Sequence, residues 1–97
     1  MFDTKLIDEL LLYNHCKYEN ISGQRNKITE EYLEFIDALT KQKYNPTKEN
    51  KDHLAEEIID FIQSGYTFLI NNFTKEEVEN AIHRHLQKLI DRDNEVK

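Results

Sequence analysis

Ninety-seven residues are enough for one domain, here 1–97, and too few for a second core. Nineteen acidic side chains against thirteen Lys and Arg leave a net charge of −6, a surface that repels a phosphate backbone and argues against a nucleic-acid polymer as partner. With two Gly, one Pro and no Trp, turn-formers are scarce and the composition is that of a helical chain.

Four helices are expected. In the first, Asp3 is placed as N-cap with Phe2 and Ile7 as a hydrophobic staple, and Leu6, Ile7, Leu10 and Leu11 recur at helical spacing until the pattern fades near Tyr18. The second begins at Ser22 or Gln24 and runs to about Lys43, with Ile28, Tyr32, Phe35, Ile36 and Leu39 on one apolar face. Tyr44-Asn45-Pro46 breaks it, because the residue before proline avoids the helical region. Thr47 caps the third, whose face is Leu54, Ile58, Phe61, Ile62 and Leu69 and which ends at Asn71-Asn72. Gly65 inside that helix costs about 1 kcal/mol relative to Ala. Thr74 and Glu77 form a capping box for the fourth, which carries Val78, Ala81, Ile82, His85, Leu86 and Leu89 on one side and frays after Arg92. No segment reads as a strand, so the fold class is all-α with antiparallel neighbours.

The lone cysteine, Cys16, excludes an internal disulfide and suits a reducing compartment. There is no basic leader region and no run of about 18 apolar residues. The expectation is a soluble, cytoplasmic protein with no membrane partner.

The informative feature is a local repeat. Residues 28–36 read ITEEYLEFI and residues 54–62 read LAEEIIDFI, an offset of 26. At about 100° per residue, Glu31 and Glu34 lie about 60° apart on the flank of the second helix's apolar face, and Glu57 and Asp60 hold the same relation on the third. Antiparallel packing of these faces brings four carboxylates together. An acidic pair on one helix is ordinarily a solvated face; the weight lies in two such pairs at matching angles. Crowded carboxylates repel one another, and a hard divalent cation with oxygen ligands, Mg²⁺ or Mn²⁺, removes the conflict. Neither motif has a His at position +3, which disfavours a di-iron site.

Glu30-Glu31-x-x-Glu34, then 22 residues, then Glu57-x-x-Asp60, resembles the EExxE…ExxD signature of the MazG-like all-α nucleoside triphosphate pyrophosphohydrolases. The resemblance covers about residues 22–92. It implies a four-helix MazG-like bundle completed by homo-oligomerisation, and Mg²⁺-dependent hydrolysis of an NTP or dNTP to the monophosphate and pyrophosphate, with Mn²⁺ able to substitute. Carried over residue by residue, Glu31, Glu34, Glu57 and Asp60 are the metal ligands, and Glu30 orients or deprotonates the attacking water. Gln24, seven positions before Glu31, resembles a glutamine frequent before this motif and is a candidate for substrate binding.

Phosphate also calls for fixed positive charge. Arg84, Lys88 and Arg92 form a stripe at every fourth residue of the last helix, and Lys88 and Arg92 are the candidates for gripping substrate phosphates; the alternative is a solvated stripe paired with Glu77, Asp91 or Glu95. Phosphoribosyl-ATP pyrophosphohydrolases carry similar motifs, but Asp60-Phe61-Ile62-Gln63 departs from their Asp-Leu-Leu-Tyr-His-like run. A dUTP- or dCTP-directed enzyme and a non-catalytic helical interaction module stay open. Leu10, Leu11, Leu86 and Leu89 exceed what a bundle of this size covers, which predicts a homodimer or higher even oligomer.

Overall fold

The computed structural model describes residues 3–12 and 20–96. Their regular structure is entirely helical: α1 Thr4–Leu12, α2 Ile21–Tyr44, α3 Lys48–Asn72 and α4 Lys75–Val96. Phe2, His15, Cys16 and the end placed near Tyr18 lie outside the described residues.

Each start is set by a side chain that accepts from an otherwise orphaned backbone N–H. Asp3 Oδ1 accepts from Lys5 N at 2.9 Å, Asn20 Oδ1 from Gly23 N at 2.7 Å and Thr47 Oγ1 from Asn50 N at 3.1 Å. Thr74 and Glu77 make both halves of the capping box, at 2.9 and 3.1 Å. The expected helices are therefore present, with two shifts at their ends. Asn20 rather than Ser22 caps α2, and α4 runs past Arg92 to Val96 because Asp93-Asn94-Glu95 contains neither Gly nor Pro to stop it.

The turn at Asn45-Pro46-Thr47 folds α2 and α3 into an antiparallel hairpin, whose far end is closed by Asn72 Nδ2 donating to Gln24 Oε1 at 2.6 Å. The hairpin's inner line on α2 is Gln24, Glu31 and Ala38, the buried residues, spaced by seven. Half-buried Leu54, Glu57, Phe61, Ser64 and Phe68 form the facing line at alternating three- and four-residue steps, the periodicity of a coiled-coil seam. Phe61 stacks on Phe35 at 6.0 Å and meets Tyr32 at 5.9 Å. α1 is joined to α3 by Gln63 Nε2 donating to the Leu10 carbonyl at 3.3 Å.

This seam differs from the expected one in rotation. Tyr32, Ile36 and Leu39 of the α2 stripe remain exposed, as do Ile58, Ile62 and Leu69 of the α3 stripe. Glu31, expected on the flank, lies inside. Only Ala38 is a fully buried hydrophobic among the described residues, and one carboxylate, Glu31, is buried on the same line with Gln24. α4 leaves α3 at Phe73 and is exposed from Glu79 to Glu95; it meets the hairpin at the turn, where Leu69, Phe73, Val78 and Ala81 line a shallow groove of about 260 Å³ together with Arg84. Among the described residues no helix is long and apolar enough to cross a membrane.

Candidate metal centre

Glu31 belongs to two groups of ligand-bearing side chains. With Glu30 and Glu34 it forms one triad on α2, and with Glu57 and Asp60 of α3 it forms a second; within each, one carboxylate oxygen per residue lies within 4.8 Å of the others. Helical periodicity explains the first triad, because positions i, i+1 and i+4 spread over one side of a turn. Hairpin packing explains the second. The five carboxylates singled out from the sequence are thus brought to one place.

Burial is uneven across the cluster. Glu31 is 4 % exposed, Glu57 is half-buried, and Glu30, Glu34 and Asp60 reach solvent. Glu31 Oε2 and Glu57 Oε2 are buried and accept no hydrogen bond. A buried carboxylate oxygen without a donor loses its hydration for nothing in return, which is unfavourable by about 1–3 kcal/mol or more for a charged group. Glu31 and Glu57 both belong to the triad that spans the two helices, so a cation held there would meet the two residues that carry these oxygens. The donor set, oxygen only and with no Cys or His among the grouped residues, is that of Mg²⁺, Mn²⁺ or Ca²⁺.

The electrostatics carry the same signature. The Glu34 carboxyl is pushed above its ordinary range, chiefly by the charge of Glu31, then by partial desolvation, by Glu57, which also comes within hydrogen-bonding reach, and by Glu30. Asp60 is raised first by burial, then by Glu31 and Glu57, with Lys27 pulling the other way. Neighbouring negative charge leads for Glu34, while loss of hydration leads for Asp60 with the same carboxylates adding to it.

Lys27 is the residue the sequence reading missed. Its ammonium pairs with Glu31 Oε1, one helical turn on, and is the cation that also acts on Asp60. The signal was present as a Lys four residues before the buried Glu, but that spacing is common on solvated helices. His53 Nε2 stands 3.8 Å from Glu57 Oε1 at the other side of the cluster.

No family model, curated protein or solved structure matches this chain. The residues themselves must carry the functional argument.

Gln24 is buried at 6 % exposure on the same line of α2 as Glu31, two turns away, with its amide oxygen held by Asn72. Asn72 also donates to the Phe68 carbonyl at 3.0 Å, which fixes its own amide. Lys88 and Arg92 are not brought to the cluster within one chain. Among the described residues neither makes an ion pair, with the carboxylates or with Glu77, Asp91 or Glu95; Asp91 instead accepts from Gln87 at 2.9 Å, and Glu77 is engaged at the Thr74 cap. Near the turn between α2 and α3, Lys41 pairs with Asp37 and Lys48 with Asp52, each one turn along its own helix. His83 and His85 are exposed on α4, away from any grouped carboxylate.

Proposed function

We propose that this chain is a divalent-metal-dependent nucleotide pyrophosphohydrolase, cleaving an NTP or dNTP between its α- and β-phosphates to release the monophosphate and pyrophosphate. The observation that carries this reading is Glu31, a carboxylate 4 % exposed, whose Oε2 has no donor and which is shared by two triads of acidic side chains from two helices. The resemblance to the MazG-like signature supplies the reaction class. The same reading makes the four helices the protomer of a MazG-like bundle completed by homo-oligomerisation.

Glu31, Glu34, Glu57 and Asp60 would hold Mg²⁺, with Mn²⁺ as substitute. When bound, that ion neutralises phosphate oxygens and makes a nearby water more acidic. The chain's own residues do the rest. Glu30, solvent-facing at the edge of the α2 triad, would orient the attacking water or accept its proton, the water oxygen forming the new bond to phosphorus as the bridging oxygen departs with pyrophosphate. Gln24 is proposed for substrate binding on the resemblance alone; it is buried along the hairpin from the carboxylates with its amide oxygen held by Asn72, so contact with a sugar or base would require that pair to open. Lys27 neutralises part of the cluster until a cation takes that role.

The deciding experiment is a panel of NTPs and dNTPs with Mg²⁺ or Mn²⁺, scored for pyrophosphate, beside calorimetric titration of the metal. Metal binding with pyrophosphate release from at least one nucleotide supports the reading. Equal activity in excess EDTA, or neither metal binding nor turnover, contradicts it, and the second result favours a non-catalytic interaction module.

A further inference from the structure

We propose that Lys27 is a tethered competitor of the metal ion: its ammonium pairs with Glu31 in the metal-free protein and swings out to solvent when a divalent cation binds. This rests on the reading of the carboxylates as a cation site, and adds what filling that site must displace. Glu31 is the shared member of both triads, so a cation held by either one meets Glu31. Of its two oxygens, Oε1 is engaged by the Lys27 ammonium one helical turn before it, while Oε2 is buried without a donor. The same ammonium acts on Asp60 across the hairpin, against the push of Glu31 and Glu57. Lys27 therefore bears on both helices that supply the interhelical triad.

Two cations on one carboxylate stand within about 5 Å of each other, and they repel more strongly in a half-buried cluster than in water. One of them must yield. Lys27 is the one that can, because 41 % of its side chain is exposed against 6 % for Glu31. Its flexible four-carbon stem can carry the ammonium into water, where it is strongly hydrated. Glu31 stays where the packing of α2 on α3 puts it. His53 faces Glu57 at 3.8 Å and leaves the Glu31 pair to Lys27. The exchange gives Lys27 two effects of opposite sign. Without metal it compensates a buried charge and supports the hairpin; with metal, its displacement subtracts from the free energy of binding. Lys27 thereby sets the cation concentration at which the site fills.

The test uses the full chain and needs no nucleotide. In calorimetric titration Lys27→Met should bind Mg²⁺ or Mn²⁺ about tenfold more tightly than the wild type, as expected for loss of a partly exposed charge-assisted pair. In EDTA the same variant should melt lower by at least about 4 °C, because the buried Glu31 loses its ammonium. Lys27→Arg keeps the charge and should stay close to the wild type in both measurements. Lys41→Met removes an ammonium from an exposed pair with Asp37 and should leave metal affinity unchanged. Labelling of the wild type with acetic anhydride, read by mass spectrometry, guards against a variant that fails to fold. Lys27 should react faster with Mg²⁺ present than in EDTA, and Lys41 equally in both. Metal affinity of Lys27→Met no tighter than wild type, or an equal gain in Lys41→Met, would overturn the proposal, as would Lys27 labelling that ignores Mg²⁺. A wild type that binds neither ion removes the cation site itself and this inference with it, so the two failures are distinguishable.

Discussion

Gln24, Glu31 and Ala38 lie buried between α2 and α3, while Ile82, Leu86, Leu89 and Ile90 of α4 stand in water. Two amphipathic surfaces of one small protein thus have opposite fates: a polar line is enclosed and an aliphatic one is left out. The hydrophobic effect alone would arrange them the other way. A buried carboxylate such as Glu31 persists where something compensates its charge, in part Lys27 and, on the proposed reading, a bound cation.

The largest expected effect breaks the inner half of the comparison. Glu34→Gln or Asp60→Asn should lower turnover by at least about a hundredfold, because each removes an oxygen from the cation, while the metal-free protein becomes more stable. Stopped assays with nucleotide, beside thermal melts in EDTA, check both parts. The sign follows from the raised carboxyls. A carboxylic acid whose folded-state value lies above its unfolded one holds its proton better when folded, so its ionisation destabilises the fold. Metal-free protein should therefore lose stability as pH rises from the ordinary carboxylate range through the raised values of Glu34 and Asp60. Mg²⁺ should abolish that loss and release protons on binding.

Packing on the inner seam comes next. Ala38, 1 % exposed, has no room for a longer side chain, so Ala38→Leu should destabilise by about 1–3 kcal/mol in denaturant unfolding. Ile70→Ala, at an exposed position on α3, should change stability by less. If the two substitutions cost the same, the seam is not where the fold is held.

How much of this was legible from the sequence depends on which interaction fixes each feature. Helix starts were readable because they are local: Thr47, Thr74 and Glu77 act on backbone three residues away. The carboxylate set was readable because the repeat places like residues at like angles on two helices. The rotation of the seam was not. Apolar periodicity marks Ile28, Tyr32, Phe35, Ile36 and Leu39 as a face without saying which of them the partner covers, and within this chain Phe35 meets Phe61 while Tyr32, Ile36 and Leu39 stay exposed and Glu31 turns inward. Lys27 was missed for a related reason, since a Lys one turn before a Glu becomes a counter-ion only once the Glu is buried. The cations of α4 were singled out by their spacing, and among the described residues Lys88 and Arg92 make no ion pair along an exposed helix, so the fold of one chain adds nothing to that signal.

Smaller effects sharpen the account at its margins. Thr74→Ala removes one half of the α4 cap and should cost about 1 kcal/mol. The Thr74 hydrogen bonds hold the Glu77 carboxyl below its ordinary range, so their stabilisation is present at neutral pH and fades as pH falls through that depressed value. Gly65→Ala should add up to about 1 kcal/mol, because an added Cβ meets nothing within 4 Å and the helix gains the propensity of Ala. Thermal melts resolve both.

The central claim is that Glu31 is buried for the sake of a cation, and thermal melts of wild type and Glu31→Met test it most directly. In EDTA the variant should melt higher, since an apolar side chain of similar volume replaces a buried carboxylate with an unpartnered oxygen, and the Lys27 it leaves behind is exposed enough to be hydrated. With saturating Mg²⁺ or Mn²⁺ the wild type should gain stability and the variant should not. A wild type that melts above the variant in EDTA and is indifferent to both metals would contradict the account.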